Sequence, residues 1–562
     1  VHRDKISLPS RRSSDLTPTK KTEDLKEYFN ISSDDEAALI VDNELSDYKA
    51  KIIDKKIYVD YKFVHASLNF RFYWDANENV LLYTTASDII SAAADSNSYS
   101  VTKQTNDFGY PIVKATSDSA LIALDYVKQY SNITFKSYDD PARIVITSKW
   151  DEIDSATVSK STQVRVKGGI KSPILKEVKK DDKITILDSG DKWDKVATED
   201  GVIGYIKRKA LSESKKTKLT NPDYEEETFT HIKKDKDICL AWNQVTSQSA
   251  NSKVPQVISS TKGINVMSPT WFYLNDNNGN LADIASKDYV SYCHSQGIEV
   301  WGLFSNFENT DVDAAYVLTH TSTRTTLINQ IMSAAFNYEL DGVNIDFENI
   351  TEAAYGDSYI EFIRELAIKC HNNGISLSVD VTVPASFNKF FNRSDMANFA
   401  DYIVIMGYDE HYKGSDADSV SSIPWVTEGV ESTLKEVPAD QIILGMPFYT
   451  RIWELTPKED DDAVTDTEDQ SKYTVASQVY SMDAAAAQLA TNNATAALDE
   501  ESGQNYAEWT VSNKLYKVWL EDNTSLEQRL TLVDDNTLAG AAFWKLGFEN
   551  SSVWDTVIKY LD

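Results

Sequence analysis

Residues 341–348, which read Asp-Gly-Val-Asn-Ile-Asp-Phe-Glu, decide the fold of this chain. On a β-strand, positions two apart share a face, so Asn344, Asp346 and Glu348 are predicted to line one surface while the apolar residues between them face the other way. Asp346 and Glu348 then lie about 6 to 7 Å apart along the strand. Carboxylates this close do not both ionise cheaply, so one is expected to keep its proton near neutral pH. A proton donor beside an anion is what cleavage of a glycosidic bond requires.

Short apolar runs alternate with longer amphipathic stretches from residue 229 to residue 562. Eight strand-helix units over about 330 residues have the size and rhythm of a (β/α)₈ TIM barrel. Active sites of this fold lie at the C-terminal ends of the strands, so the end of each run is where chemistry is expected. The predicted strands contain Ile238–Trp242, Ile264–Met267, Ile298–Trp301, Val343–Phe347, Leu377–Val379, Tyr402–Met406, Ile442–Leu444 and Ala541–Trp544.

Four of these strand ends resemble elements of glycoside hydrolase family 18. Residues 341–348 resemble its Asp-x-x-Asp-x-Asp-x-Glu signature on the fourth barrel strand. Met406–Asp409 resembles the Met-x-Tyr-Asp element after the sixth strand, and Gly445–Tyr449 resembles the Gly-x-Pro-x-Tyr element after the seventh. Trp544 ends the eighth run, where this family places the ring beneath the sugar. The resemblance covers the whole C-terminal domain, residues 229–562.

The resemblance implies a retaining glycosidase that uses the 2-acetamido group of its substrate instead of a carboxylate nucleophile. Glu348 is then the general acid that protonates the glycosidic oxygen and later acts as base on water. Asp346 orients the acetamido group and balances the developing oxazolinium charge. Tyr408 donates a hydrogen bond to the same group. These three are the candidate catalytic residues.

The same resemblance gives the candidate substrate-binding residues, which are Asp341, Asn344, Met406, Asp409 and Trp544. Asp409 is expected to contact the distorted sugar and Trp544 to stack beneath its ring. Asn344 departs from the family pattern, which has Asp at that position. An amide there removes a charge behind Asp346, which we expect to ease the ionisation of Asp346. Asn at this position resembles the branch that includes spore-cortex and wall-associated N-acetylglucosaminidases.

A long insertion, about residues 452–530, separates the seventh and eighth predicted strands. We expect part of it to fold as a small α+β lobe that forms one wall of the cleft. Its acidic run, Glu459–Asp462, lacks the spaced ligands and glycine of a calcium loop and is interpreted as a solvated loop, so no metal is assigned. Aromatic residues near strand ends, such as Trp242, Trp271 and Trp301, either extend a sugar-binding groove or belong to the core.

The sequence of the N-terminal half predicts modules smaller than the barrel. Residues 36–150 form two similar halves, each with a helix-like stretch and two short alternating strands, and resemble the stalk-type domain named from copper amine oxidases, with no copper site implied. Residues 157–213 have short strands at near-regular spacing and resemble bacterial Src-homology-3-like barrels, in which Trp193 either holds a wall peptide or belongs to the core. Residues 1–35 are predicted to be a disordered leader and residues 214–228 a linker.

Composition excludes several classes of protein. The chain has 562 residues with 56 Lys plus Arg against 87 Asp plus Glu, a net charge of −31, and this field disfavours nucleic acid as a partner. The 3 Cys residues exclude a disulfide scaffold, and no run is long and apolar enough to be a transmembrane segment. No cofactor is implied, and we expect a monomer.

The favoured interpretation is a secreted or spore-wall-associated glycosidase of a Gram-positive bacterium that acts on peptidoglycan or, second, on chitin-type glycans. The sequon Asn349-Ile350-Thr351 directly follows Glu348, and a glycan there fits poorly with an open cleft in a eukaryotic secreted protein. The alternative is a carbohydrate-binding barrel with weak or no turnover, although such barrels usually lose the residue at the Glu348 position. A structural surface protein would require the barrel to be incidental.

Overall fold

The computed structural model describes residues 17–348, 350, 353–458 and 469–561, which form two units. One unit contains the described residues up to Tyr83 together with Ile90–Glu227, and the other contains Thr84–Ile89 and the chain from Thr228 onward. Within these residues, no helix has both the length and the apolar character needed to cross a bilayer.

Three predictions fall on residues outside this description. They concern residues 1–16 of the predicted leader, the acidic run Glu459–Asp462, and the sequon residues Asn349 and Thr351.

The first unit consists mainly of short strands, because its apolar residues alternate over a few positions between turn residues. Its strands are β1 Glu36–Val41, β2 Glu44–Ile53, β3 Lys56–Asp60, β4 Phe72–Asp75, β5 Val80–Thr84, β6 Ile89–Ala93, β7 Ser98–Val101, β8 Gln104–Asp107, β9 Val113–Ala115, β10 Ala120–Ala123, β11 Thr134–Tyr138, β12 Arg143–Thr147, β13 Glu152–Thr157, β14 Thr162–Arg165, β15 Ile174–Val178, β16 Lys183–Asp188, β17 Trp193–Thr198, β18 Ile203–Lys207 and β19 Lys215–Lys218. Its helices are α1 Leu25–Tyr28, α2 Tyr61–Phe63 and α3 Leu124–Gln129, with a π-helical turn at Val64–Leu68 and a 3-10 turn at Arg208–Ala210.

The described strands of this unit form three sheets, in the orders β11-β12-β1-β2-β3-β10-β9, β15-β14-β18-β17-β16-β13-β19 and β4-β5-β6-β7-β8. A helix followed by an antiparallel hairpin occurs twice, as α2 before β4 and β5 and as α3 before β11 and β12. The two hairpins belong to different sheets. The two halves that look alike in sequence are therefore not equivalent in three dimensions.

The predicted linker 214–228 is wrong in its first part. Strand β19 reads Lys-Lys-Thr-Lys and pairs antiparallel with β13, so the second sheet runs from Glu152 to Lys218 instead of 157–213. A strand without apolar residues gives no hydrophobic alternation, and its conformation here is fixed by backbone pairing.

The predicted disordered leader is also wrong for residues 17–35. Asp24 caps helix α1 by accepting a hydrogen bond from the backbone N–H of Lys26. Phe29 is 1% exposed in a core that includes Ile40 and Val196, and the Tyr28 hydroxyl donates to the Ile203 carbonyl at 2.6 Å. Burial of this aromatic pair orders a segment whose average composition is polar.

The second unit alternates strands and helices. Its strands are β20 Ile238–Asn243, β21 Val266–Leu274, β22 Leu281–Asp283, β23 Glu299–Ser305, β24 Gly342–Asp346, β25 Ser376–Thr382, β26 Tyr402–Met406, β27 Ile442–Pro447, β28 Tyr449–Pro457, β29 Tyr473–Ser481, β30 Ala497–Asp499, β31 Gln504–Val511, β32 Lys514–Leu520 and β33 Gly540–Trp544. Its helices are α4 Val254–Ile258, α5 Lys287–Ser295, α6 Ala314–Thr319, α7 Thr321–Tyr338, α8 Ala353–His371, α9 Arg393–Phe399, α10 Ile423–Thr433, α11 Met482–Thr491, α12 Asn523–Asp535 and α13 Val553–Val557, with 3-10 turns at Gln248–Lys253, Ser386–Phe391, Ala439–Gln441 and Gln470–Lys472.

Parallel strands of this unit close into a barrel. Their order is β20-β33-β27-β26-β25-β24-β23-β21, and β20 pairs with β21 to complete the circle. These are the eight strands expected from the sequence, so the predicted (β/α)₈ barrel is confirmed. Alternate residues fill two cores: Leu240, Trp242 and Val404 pack inside the barrel, whereas Cys239 and Ala241 pack outward with the helices.

The insertion between the seventh and eighth barrel strands forms a sheet in the order β29-β28-β32-β31-β30 with helix α11. The lobe therefore runs from Tyr449 to Leu520, not from 452 to 530. Helix α12 follows it and buries Leu526 and Leu530 in the barrel core. This helix belongs to the barrel because its apolar face covers the strands.

Candidate active site

The fourth barrel strand, β24, brings the motif to the C-terminal end of the barrel. Val343 and Ile345 pack outward in the core shared with the helices. Asn344 and Asp346 alternate with them and are 0% and 7% exposed. Glu348 lies two residues beyond Asp346, where the strand has ended and the chain reaches solvent.

A cavity of about 500 Å³ opens at this end of the barrel. The predicted site residues that line it are Asp346, Glu348, Met406, Tyr408, Asp409 and Trp544. The described residues around this cavity include no Lys or Arg. Asp346 and Glu348 form no ion pair with any described residue, so nothing neutralises their charges locally.

Burial raises the pKa of Asp346 well above its ordinary value. The negative charges of Asp380, Glu348 and Glu308 raise this pKa further, because each disfavours a second anion nearby. One oxygen of Asp346, Oδ1, is buried without a hydrogen-bond partner among the described residues. Asp346 is therefore a carboxyl that holds its proton at a pH where an ordinary Asp has lost it.

The pKa of Glu348 is raised as well. Its carboxyl is accessible from the mouth of the cavity, but loss of hydration on the side that faces the protein is the largest cause of the shift. The negative charges of Asp409 and Glu308 add to it. The pKa values of both carboxyls of the motif are thus raised, and a carboxyl that still holds its proton beside an open cavity suits general-acid chemistry.

Asn344 lies beneath the cavity and does not line it. Its Oδ1 accepts from Trp242 Nε1 and from Ser268 Oγ, both at 3.0 Å. Its Nδ2 donates to Ser378 Oγ at 3.0 Å and to Asp380 Oδ1 at 2.7 Å. The prediction that Asn344 binds substrate is wrong, because its polar atoms are fully engaged inside the barrel.

The expected easing of Asp346 ionisation by the amide stays a prediction, because the pKa of Asp346 is raised by other groups. The amide at position 344 does remove a charge from the motif, but Asp380 on the neighbouring strand β25 restores one. Asp380 is 4% exposed and lines the same cavity as Asp346. Its negative charge raises the pKa of Asp346, so Asp346 keeps an acidic neighbour although position 344 is an amide.

Asp341 lies at the other end of the same strand. Its Oδ2 accepts from the Val300 backbone N–H at 2.8 Å and contacts His294 Nε2 at 2.8 Å. Seven positions of extended chain separate it from Glu348, a distance of about 20 Å. The prediction that Asp341 binds substrate is therefore wrong, and its contacts connect β24 with β23 and α5 at the base of the barrel.

Tyr408 and Asp409 follow the sixth barrel strand at the rim. Burial raises the pKa of Tyr408, and the negative charges of Asp346 and Asp380 raise it further, so its hydroxyl stays a donor. Asp409 Oδ1 accepts from the Tyr449 hydroxyl at 2.5 Å and lies 3.7 Å from Arg451. These contacts hold the Asp409 carboxylate at the edge of the cavity.

Trp544 ends the eighth strand and its ring lies 6.1 Å from that of Trp242, at 66°. Trp242 borders the cavity but is 1% exposed and belongs to the core inside the barrel, so a role in a sugar-binding groove stays a prediction for this ring. Trp271 and Trp301 are fully buried and belong to the cores. An aromatic residue near a strand end is therefore not sufficient to identify a sugar contact.

Sequence reasoning missed Asp380 and Glu308, which both line the cavity. Asp380 follows Ser378 by two positions on β25, so the same alternation that located Asp346 would have located it had the fifth run been extended. Glu308 follows the third barrel strand, and both of its carboxylate oxygens lie 2.6 Å from Ser305 Oγ. No pattern in the sequence distinguishes it from a solvated loop residue.

Closely spaced carboxyls of raised pKa, together with aromatic rings at the C-terminal ends of the strands of a TIM barrel, are typical of an enzyme of the glycosidase class. Residues 304–549 match the family described as Glycosyl hydrolases family 18. This match lies within the second unit, and together with the glycosylase and chitinase relatives it identifies the chain as a glycosidase.

Relatives of known description match the same half of the chain. It is 24% identical over 302 residues to the uncharacterized glycosylase YvbX of Bacillus subtilis, covering 50% of this chain and 81% of that protein. It is 24% identical over 287 residues to the cortical fragment-lytic enzyme of the same organism, covering 49% of this chain and 63% of that protein. The crystal structure of the Bacillus cereus spore cortex-lytic enzyme SleL shares the fold, with a TM-score of 0.51 at 18% identity over 62% of this chain and 77% of that one.

Proposed function

We propose that this chain hydrolyses β-1,4 linkages next to N-acetylglucosamine in bacterial peptidoglycan, including spore cortex, with retention of configuration. The observation that carries the proposal is the pair Asp346 and Glu348, which line one cavity, have raised pKa values and have no cationic partner among the described residues. Cleavage near neutral pH needs a carboxyl that still holds its proton, and a raised pKa supplies one. The cortical fragment-lytic relative favours peptidoglycan over chitin-type glycans.

In the proposed reaction, Glu348 gives its proton to the glycosidic oxygen while the carbonyl oxygen of the substrate's acetamido group attacks C1. The bond from C1 to the leaving sugar breaks and a cyclic oxazolinium forms. Asp346 accepts a hydrogen bond from the acetamido N–H and balances the positive charge. A water then attacks C1, gives its proton back to Glu348 and reopens the ring, so that two inversions give net retention.

The remaining cavity residues have binding roles in this proposal. Tyr408 donates to the acetamido carbonyl oxygen, since its raised pKa keeps the hydroxyl protonated. Trp544 stacks beneath the sugar ring, Asp409 accepts from a sugar hydroxyl, and Met406 forms part of the wall. None of these contacts requires a metal or an organic cofactor.

The first unit is proposed to keep the enzyme on the cell wall or spore wall of a Gram-positive bacterium, outside the membrane. The sheet of β13 to β19 is the proposed Src-homology-3-like module, and the other two sheets form the proposed stalk. Trp193 is half-buried with Lys207 Nζ 5.7 Å from the centre of its ring. Trp193→Ala is expected to weaken co-sedimentation of the full chain with purified cell walls while leaving hydrolysis of soluble chito-oligosaccharides unchanged.

The central test compares the full chain with Glu348→Gln on two substrates, purified cortex peptidoglycan and chito-oligosaccharides, with product ends identified by mass. The matched control is Glu431→Gln, which alters an exposed carboxylate on α10. We expect reducing-end N-acetylglucosamine products from the unaltered chain and the control, and a fall of about 1,000-fold or more for Glu348→Gln.

Each outcome of this test separates the candidate functions. Equal turnover by Glu348→Gln and the unaltered chain contradicts the enzymatic role of this site. Release from chito-oligosaccharides alone contradicts the wall assignment. Binding of glycan without turnover by either protein supports the carbohydrate-binding barrel instead.

A further inference from the structure

Asn344 contacts Asp380 through an amide whose orientation is fixed by its neighbours. An amide side chain has an acceptor oxygen and a donor nitrogen. In Asn344, the neighbouring hydrogen-bond donors identify which of the two atoms is the oxygen. Trp242 Nε1 is a donor only and lies 3.0 Å from Asn344 Oδ1. The Asn344 Nδ2 group therefore faces β25, where it donates to Asp380 Oδ1 at 2.7 Å.

Asn344 and Asp380 are complementary in charge. An Asp at position 344 would place a carboxylate oxygen about 2.7 Å from Asp380 Oδ1, where both could persist only with an added proton. An amide at 344 and a carboxyl at 380 satisfy each other without one. The family motif usually has an acid at position 344, and in this chain the acid at that place is Asp380 on the adjacent strand β25.

Strand register brings Asp380 beside Asp346. In the parallel pair of β24 and β25, Asn344 is level with Ser378 and Ile345 with Val379. One further step in the same register sets Asp346 level with Asp380, on strands about 4.8 Å apart. Both side chains point to the barrel interior, as the hydrogen bond between Asn344 and Ser378 shows for the preceding level, and both line the cavity.

We propose that Asp380 is a positioning residue for catalysis: its carboxyl shares one proton with Asp346 and replaces the acidic neighbour that Asn344 no longer provides. This rests on the proposed function, in which Asp346 binds the acetamido N–H as an anion. When substrate binds, the shared proton passes from an oxygen of Asp346 to an oxygen of Asp380, and no other proton is gained or lost.

Hydrogen bonding decides which oxygen of Asp380 takes the proton. Oδ1 already accepts from Asn344, so the proton belongs on Oδ2. Asp346 Oδ1 has no partner among the described residues and is available to accept from it. A protonated Asp380 then orients Asp346 and keeps its negative charge on the substrate side.

Other titratable groups that face this pair come from several elements. Glu348 follows β24 and Glu308 follows β23, and the negative charge of each raises the pKa of Asp346. Tyr408 after β26 and Tyr359 on α8 both have pKa values raised first by burial and then by the charges of Asp346 and Asp380. These tyrosines stay neutral over the range in which the carboxyl pair titrates.

The test uses the full chain and three proteins: unaltered, Asp380→Asn, and the exchange Asn344→Asp with Asp380→Asn. The rate on chito-oligosaccharides is measured across pH. In Asp380→Asn, kcat is expected to fall about 10- to 100-fold with KM changed less than about threefold. The acidic limb of the kcat profile is expected to move to lower pH, because Asp346 loses a neighbouring charge that raises its pKa.

The exchange variant restores a carboxyl beside Asp346 and keeps the hydrogen bond between positions 344 and 380 with its direction reversed. It is expected to recover at least about tenfold of the lost kcat and to return the acidic limb toward its original position. A loss of rate with an unmoved limb, or an exchange variant no better than Asp380→Asn, overturns the proposal. So does an Asp380→Asn protein that matches the unaltered chain.

A measurement on the unaltered chain keeps the proposal falsifiable if a variant fails to fold. Neutron diffraction from its crystals is expected to show a proton on Asp380 Oδ2 directed at Asp346, and two anions or two separate protons would overturn the proposal. Failure of the proposed function is distinguishable, since it appears as turnover that does not depend on Glu348.

Discussion

Two groups of buried carboxyls in the second unit differ in their partners. Glu361 lies on α8 and Asp395 on α9, and each contacts Arg364, at 2.9 and 2.6 Å. Burial alone lowers the pKa of Arg364, but the charges of Asp395 and Glu361 outweigh it and the net shift is upward. Asp346 and Asp380 are as deeply buried and face no cation among the described residues, so their pKa values are raised.

This difference teaches that burial does not fix the charge of a carboxyl. At Arg364 a guanidinium contacts both carboxyls, and removing one partner of such a buried pair is strongly destabilising. Where only amides, hydroxyls and other acids are present, the carboxyl keeps its proton and serves chemistry. The fold thus keeps its structural charges and its reactive charges in separate layers of one barrel.

The largest effect is expected from removing Arg364, the cation that contacts Glu361 and Asp395. Arg364→Met leaves Glu361 and Asp395 buried without a partner, so the free energy of unfolding is expected to fall by about 3 to 5 kcal/mol. Urea unfolding of the full chain measures it. The matched control, Lys233→Met, breaks an exposed pair with Asp440 and is expected to cost about 0 to 1 kcal/mol. Equal losses of unfolding free energy in the two variants would contradict the greater importance of the buried pair.

The second effect is on rate. Asp346→Asn is expected to reduce kcat on chito-oligosaccharides about 100-fold or more, because the amide cannot balance the oxazolinium charge. The same variant is expected to lose no stability at pH 7, since it replaces an unpaired buried acid. Steady-state kinetics and thermal unfolding of one preparation check both statements. A variant with normal turnover would refute substrate-assisted catalysis even if Glu348 proved essential.

The third effect is a pH-dependent gain in stability. The folded pKa of Asp380 is raised by burial, so its contribution to stability is fully present below the ordinary pKa of Asp, near 4, and is lost as pH rises through the folded value. Asp380→Asn removes that loss and is expected to raise the unfolding temperature by about 1 to 3 °C at pH 7. At pH 4 the gain is expected to vanish. Thermal scans at both pH values measure it, and a gain of the same size at pH 4 would rule out this cause.

The smallest effect is expected from Glu308, whose charge reaches both reactive carboxyls. Glu308→Gln removes one cause of the raised pKa of Glu348, so the alkaline limb of the kcat/KM profile is expected to move to lower pH. Glu431→Gln, distant from the cavity, serves as the control and is expected to leave the limb in place. A limb that moves upward would show that another group controls it.

Much of the barrel was predictable because its signals are local. Each barrel strand is a short apolar run with a turn or helix after it. In residues 341–348, the alternation of polar and apolar residues alone predicts which side chains face the barrel interior and which face the helices. The wrong predictions for the leader and for the linker share one cause. Strand β19 has no apolar residue, and helix α1 is four residues long, with the half-buried Tyr28 at its end and the buried Phe29 after it, so neither element has a periodic pattern to detect.

The sequence by itself determined the barrel and the strand on which Asp346 and Glu348 lie, because periodicity and strand order are properties of the chain. Tyr408 and Trp544 became candidates through the resemblance of their motifs to glycoside hydrolase family 18. Only the tertiary structure decided that Asp341 lies at the base of the barrel and that Asp380 adjoins Asn344 across 36 residues of chain. Strand register creates such neighbours, and no spacing along one strand records it. The charge environment of Asp346 is therefore a property of two strands together.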